Sequence, residues 1–248
     1  MITQYQFEAE IPGKLVPSSS WGYWLYSAIM QWLPPEVATQ YHEQSLTPFN
    51  QSFVPQKDQR KGRWTITALT DEAEMVLFPI LEDCRQIYLK EISAELPLQL
   101  KSKQHIPNLE TFLNLADALE DRHIHPIVFR TPCTFKSHER YQIFPSVSQI
   151  LQSLISRWNA IAPEYAITDG DAIRMLEEQI WIRDYRLRGA RYDMKGQRIL
   201  GFCGTIWVQN RLPVPLLEIW KILLLFANYA GIGVKTSLGM GAVESGTV

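Results

Sequence analysis

The chain is poor in cysteine. Cys84, Cys133 and Cys203 are the only three in 248 residues, widely spaced and odd in number. That excludes a disulfide framework and a paired-cysteine metal site, and leaves buried, reduced thiols as the expectation. The histidines at 42, 105, 123, 125 and 138 show neither zincin nor zinc-finger spacing, so no metal and no cofactor is predicted. Long apolar runs are missing too. Leu216 to Tyr229 is interrupted by Glu218 and Lys221 and is too short to span a bilayer. The first residues, Met-Ile-Thr-Gln-Tyr-Gln-Phe-Glu, lack a basic stretch followed by an apolar core, so no signal peptide is expected. A cytoplasmic protein without a membrane partner fits these absences. A net charge of −2 excludes a global basic field of the kind that coats nucleic acid indiscriminately.

The charge that is present is sorted along the chain. Asp71 to Asp121 holds eleven acidic and four basic residues, whereas Arg183 to Arg198 holds six basic and two acidic. A third cluster places Lys57, Arg60, Lys61 and Arg63 against Asp58. Each run alone is accounted for by a solvated surface.

With 46% apolar residues, the chain can bury one large core or two small ones. Residues 3–11 alternate, with Tyr5, Phe7, Ala9 and Ile11 on one face of a strand. Ser18 to Ser20 offer caps for a helix from Trp21 to Leu33 that stops at Pro34-Pro35, and a short helix follows from Glu36 to about Glu43. A strand after Pro48, a basic turn and a strand at Arg63–Thr70 lead to an acid-capped helix from Asp71 to about Cys84. Apolar strand segments then fall near Ile87–Leu89 and Ile92–Leu100. This is the βαββαβ order of a ferredoxin-like domain. A connecting helix spans Asn108 to Leu119. Beyond it come a strand from Ile124 to Phe135 broken by Pro126 and Pro132, a helix from Ser146 to Ala162, and a hairpin of Ile180–Tyr192 with Arg198–Gln209. A helix from Pro215 and a strand at Gly241–Val248 end the chain. The fold class is therefore α+β, two tandem ferredoxin-like (RRM-like) domains at 1–105 and 123–248 joined by a connecting segment at 106–122.

The tail concentrates the signal. After the helix come Gly231, Gly233, Gly239 and Gly241, with Lys235, Thr236 and Ser237 between the two pairs. The nucleotide P-loop needs glycine before the lysine, but Val234 stands there. The dinucleotide fingerprint needs a third glycine where Thr236 stands. Both motifs also put phosphate at a helix N-terminus, whereas this loop follows a C-terminus, whose dipole repels anions. A phosphate here is held by backbone N–H groups in a nest and by Lys235.

Gly-Ile-Gly-Val-Lys-Thr-Ser-Leu-Gly-Met-Gly resembles the C-terminal glycine-rich loop of the CRISPR-associated family-six endoribonucleases, members of the RAMP superfamily that process precursor CRISPR RNA. Three shorter segments are similar to that family as well: Tyr41-His42-Glu43 with Pro48-Phe49 and Ser52; Phe129-x-x-Pro132-x-x-Phe135-Lys136; and Gly201-Phe202-Cys203-Gly204. The resemblance implies the same two-domain fold, CRISPR repeat RNA as partner, and a monomer or homodimer that can join a CRISPR effector complex. It also implies RNA contacts from the glycine loop and from Lys136. The alternative within the superfamily is a non-catalytic RNA-binding subunit of an effector complex.

RNA carries its own nucleophile, the 2′-OH beside the scissile phosphate, so cleavage needs alignment and proton management rather than a metal. A histidine titrates in the useful range. His42 is the expected catalytic residue because it falls where the family's first-domain histidine sits, and Tyr26 aligns with a tyrosine that some members use. The competing readings are a surface or capping histidine and a core tyrosine. Some members place a lysine shortly after the histidine; Gln44 to Pro48 contains none, leaving Lys57 or Lys61 folding back as substitutes, or the transition-state charge handled elsewhere. In the hairpin, Arg186 and Arg188 share a face with Asp184 and Tyr192 by strand parity. That predicts arginine–phosphate contacts beside a base stacked on an aromatic, with pairing to the acidic 71–121 flank as the competing reading.

Overall fold

The computed structural model describes residues 1–44 and 46–246. The first half contains β1 (Ile2–Glu10), α1 (Trp21–Trp32), α2 (Pro35–Glu43), β2 (Phe49–Pro55), β3 (Lys61–Ala68), α3 (Asp71–Glu82), β4 (Gln86–Leu89) and β5 (Ala94–Ile106). They form an antiparallel sheet of order β2-β3-β1-β5-β4, the ferredoxin-like arrangement with one extra edge strand. Tyr5, Phe7 and Ala9 of β1 point into a core shared with Trp21, Leu25 and Ile29 of α1 and Leu77, Phe78 and Leu81 of α3. The helix α1 stops because Leu33, held extended before Pro34, cannot continue it. Thr70 caps α3 by accepting from the Ala73 N–H at 3.2 Å, and three acids fill its first turn.

The second half contains β6 (Ile124–Cys133), a small hairpin of β7 (Phe135–Ser137) and β8 (Arg140–Gln142), α5 (Val147–Ile161), α6 (Gly170–Gln179), β9 (Ile180–Met194), β10 (Gln197–Asn210), α7 (Val214–Ala230) and β11 (Val243–Ser245). Its sheet runs β11-β6-β10-β9, again the ferredoxin-like order. The predicted fold class is therefore found in both halves. Between them, α4 (Leu109–Asp117) buries Phe112 and Ala116, with Phe112 entering the second core against Trp158 and Phe226.

Three details differ from expectation. The strand β6 is not broken by its prolines. Pro126 sits opposite Trp207 in the ladder, and the Pro132 carbonyl accepts from the Gly241 N–H at 2.9 Å. The helix α6 was not expected; it is capped by Asp169, which accepts from the N–H groups of Asp171 and Ala172. The last strand covers Val243–Ser245 only, and Thr247 and Val248 of the expected strand lie outside the described residues.

The two sheets cover one face each with helices and turn parts of their other faces toward one another. Glu244 bridges Arg63 of β3, at 3.0 Å, and Arg130 of β6. Burial works to raise the Glu244 pKa, but the hydrogen bonds and charges of the two arginines outweigh it and hold the carboxyl below its usual range. Asn50 donates to the Tyr229 carbonyl at 2.8 Å, and Gln104 to the Tyr229 hydroxyl at 2.8 Å. The three cysteines are free and buried, as expected. Among the described residues no helix is long and apolar enough to cross a membrane.

Candidate active site

The helix α2 starts on Pro35, whose fixed φ suits a first helical turn. In its last turn Tyr41 is buried with its ring 5.6 Å from that of Phe49, which leaves the next side chain, His42, in solvent. From α1, Tyr26 stacks on Phe49 as well, at 6.1 Å and 14°. Burial, with a smaller push from Tyr23, raises the Tyr26 pKa. The hydroxyl therefore stays protonated at neutral pH and can donate a hydrogen bond.

The other wall is the glycine loop, and here the backbone does the building. The Ile232 N–H donates to the Gly241 carbonyl at 2.8 Å, the Val234 N–H to the Thr134 carbonyl at 3.1 Å, and the Gly233 N–H to Ser153 Oγ at 2.8 Å. Gly241 has φ +66, and a Cβ there would lie 1.9 Å from the Ile232 carbonyl oxygen. Gly239 has φ +106, and its Cβ would meet the Tyr192 hydroxyl at 2.4 Å and the Gly22 Cα of α1 at 3.1 Å. Both positions demand glycine twice, for φ and for space. At the tip Lys235 takes the left-handed conformation, φ 58 and ψ 36, and starts one 3-10 turn, Thr236–Leu238. Among the described residues, the N–H groups of Lys235, Thr236 and Ser237 have no acceptor. Thr236 Oγ1 is buried and without a partner among them as well.

Loop and helices face each other across a cavity of about 570 Å³ whose lining includes Tyr23, Tyr26, His42, Lys235, Thr236 and Ser237. The halves are pinned at its edge. Gln51 Nε2 donates to the carbonyls of Gly22, at 2.8 Å, and Ser237, at 3.0 Å, while Thr47 donates to Ser237 Oγ at 3.3 Å. Residues separated by about 190 positions in sequence thus share one concave surface.

The remaining predicted residues lie elsewhere. Gly231, Gly233, Gly239 and Gly241 are all buried and contribute backbone geometry. Lys136, in β7, is exposed, pairs with Glu139 at 2.8 Å and lines a neighbouring cavity. Arg186 and Arg188 are exposed on β9, six and four residues from Tyr192. Neither forms an ion pair among the described residues, and Arg186 lies over the Trp207 ring at 5.5 Å. Tyr192 corrects the stacking expectation. It is fully buried beneath the loop, donates to the Leu238 carbonyl, and cannot offer its ring to a base. Lys61 does not reach the cavity either; it pairs with Glu8 at 2.7 Å, and the lysine that lines the cavity is Lys235. His125 is buried at 3% exposure, packs edge-on to Trp220, and has its pKa lowered by burial.

One residue escaped sequence reasoning. Arg157 of α5 is 9% exposed and lines the His42 cavity; burial pulls its pKa down to about 10, which leaves it protonated at neutral pH. The signal was a cation on the apolar stripe Ile150, Leu154, Trp158.

A tandem pair of ferredoxin-like units, with a glycine-rich loop closing the second and turned onto the helices of the first, defines a two-domain ferredoxin-like protein with a cleft between its halves. A family model described as CRISPR-associated endoribonuclease Cas6 matches residues 127–243. The CRISPR-associated endoribonuclease Cas6 of Streptococcus thermophilus is 30% identical over 219 residues, covering 87% of either chain. The chain belongs to the Cas6 endoribonuclease family. Among solved structures, a Thermus thermophilus Cas6 product complex superposes with a TM-score of 0.78 at 20% identity, covering 98% of this chain and 99% of that one. A second Cas6 product complex gives 0.78 at 18% identity over 99% of this chain and 100% of the other. At these identities the structural likeness speaks for the fold.

Proposed function

We propose that this chain cleaves CRISPR repeat RNA at the His42 cavity without a metal, leaving a 2′,3′-cyclic phosphate and a 5′-OH. The observation that carries this reading is the convergence of His42, Tyr26 and the Lys235–Ser237 tip on one cavity from opposite ends of the chain. The 2′-OH attacks the adjacent phosphorus, the bond to the 5′-oxygen breaks, and a proton leaves the first oxygen and reaches the second. His42 is the general acid–base group that carries that proton. The pentacoordinate phosphorus carries extra negative charge on its non-bridging oxygens. Lys235 and the free N–H groups of the tip supply positive potential there, and Tyr26 donates a hydrogen bond. Because the nucleophile and the charge stabilisation are both present, no step calls for a metal-bound hydroxide.

Arg186 and Arg188 extend the RNA path along β9, roughly 13–20 Å from the loop at ~3.3 Å per strand residue. The test uses purified protein and the repeat of its own genome, with and without chelator. Cleavage that survives the chelator and leaves a cyclic phosphate is expected. A repeat that stays intact in both conditions sinks the enzymatic reading and favours an RNA-binding subunit.

A further inference from the structure

Arg157 is an unusual thing to find inside a domain. Its side chain leaves α5 on the apolar stripe, beside Leu154 and Trp158, and is nine-tenths buried. A buried guanidinium ordinarily has a carboxylate, because an uncompensated interior charge costs several kcal/mol. Among the described residues no acid pairs with it. Its one recorded hydrogen bond runs from Nη2 to the Gly233 carbonyl at 3.2 Å, out of the five N–H groups an arginine carries. A neutral, flexible side chain could make that single bond.

The surroundings show what the other donors face. Arg157 lines the His42 cavity, a second cavity of about 460 Å³ beside the loop tip, and a third of about 490 Å³ that Glu72 also lines without an ion pair to Arg157 among the described residues. Lys235 belongs to the first two as well, so the two cations form their common wall. The second cavity adds Lys136, Tyr141, Ser153 and Ser156, all able to donate to an anion. The one acid beside it is Glu139, held by Lys136 at the exposed rim, and a pair of that kind is weak. A planar fork with no paired carboxylate, shared by the His42 and Lys136 cavities, whose only other charged lining groups are cations and a histidine, has the donor geometry of a phosphate site.

We propose that Arg157 is a positioning residue that grips a second phosphate of the bound strand, next to the scissile one, where the RNA passes from the His42 cavity over the Lys235–Arg157 wall into the Lys136 cavity. This rests on the reading that the His42 cavity takes RNA. The residue acts by fixing the strand's register against the loop and takes no part in proton transfer. The bland alternative is a structural pin that ties α5 to Gly233.

The two are separated with a repeat RNA carrying a 2′-deoxy nucleotide at the cleavage site, which binds and cannot be cut. Affinity is measured against salt for wild type, Arg157→Met and Arg157→Lys, beside thermal melts. Arg157→Met should bind roughly tenfold more weakly at low salt, as loss of a charged hydrogen bond implies. Its log–log salt slope should shrink by about 0.7, the signature of one phosphate contact on a single strand. Arg157→Lys should keep the slope and still bind several-fold more weakly, because a point charge replaces a fork. An unchanged slope and affinity in Arg157→Met, with only a lowered melt, overturns the proposal in favour of the pin. Should Arg157→Met fail to fold, Arg157→Lys decides: affinity equal to wild type overturns the fork. Wild type that binds the deoxy probe but leaves the all-ribose repeat intact sinks the catalytic reading and spares this one; wild type that binds neither sinks both.

Discussion

The two walls of the cavity are built on opposite principles. The wall from the first half places one exposed side chain, His42, at the loose end of a nine-residue helix. The wall from the second half is buried backbone, cross-tied by hydrogen bonds to Pro132, Thr134 and Ser153 and locked by glycines that no other residue can replace. A proton carrier needs contact with solvent and some freedom to swing between two oxygens. A phosphate cradle needs donors fixed before the charge arrives, since preorganisation is what makes an oxyanion site effective. Under the proposed mechanism, the buried wall holds charge and the exposed side chain moves the proton.

That contrast is sharpened most by His42→Ala. The cleavage rate should fall by about 10² to 10⁴, the range for losing a general acid–base group, while affinity for the repeat stays within about twofold. Equal losses in rate and binding, read by single-turnover kinetics, would erase the division of labour. Reversing Arg186 and Arg188 to glutamate comes next. Binding at low salt should drop by more than about 100-fold, since two charged contacts become repulsions. The circular dichroism melt should hardly move, because neither arginine has an ion-pair partner among the described residues. Unfolding of the double mutant would remove the hairpin from the RNA path.

Gly239→Val tests the rigid wall itself. A branched side chain at φ +106, against Gly22 and the Tyr192 hydroxyl, must push the loop away from α1. A loss of about 1–3 kcal/mol in stability is expected from such overpacking, with at least tenfold weaker binding. Unchanged affinity would mean that the tip does not meet RNA. The smallest effect is Lys235→Ala. Binding should weaken several-fold and the salt slope flatten by less than about one unit, with the bound cleavage step slowed less than binding. A larger effect on the bound step would move Lys235 from holding the strand to stabilising the transition state.

Much of this was legible beforehand, and the misses have physical causes. The glycine loop could be read because positive φ and close backbone approach leave a mark in composition. The strand order could be read because hydrophobic period and proline stops agree along most of the chain. Tyr192 was misread because strand parity says which residues share a face, not what lies on that face. The loop covering Tyr192 comes from 46 residues further on. Arg157 went unnoticed because helical periodicity rewards the apolar members of a stripe, and the informative residue was its exception. The helix α6 was missed because it follows directly on an irregular segment and runs without a break into β9.

The contact of Gly22 with Gly239 has a mechanical side. Where two helices or loops meet through side chains, their spacing can drift as rotamers change with temperature, sequence or ligand. Here the backbones of α1 and the loop approach each other directly at Gly22 and Gly239, with the Tyr192 hydroxyl and the Gln51 amide fixed beside them, so the separation of the cavity's walls is set largely by main-chain thickness. If the cavity takes the scissile phosphate as proposed, side chains around it can be exchanged for a different repeat while the gap keeps the same width.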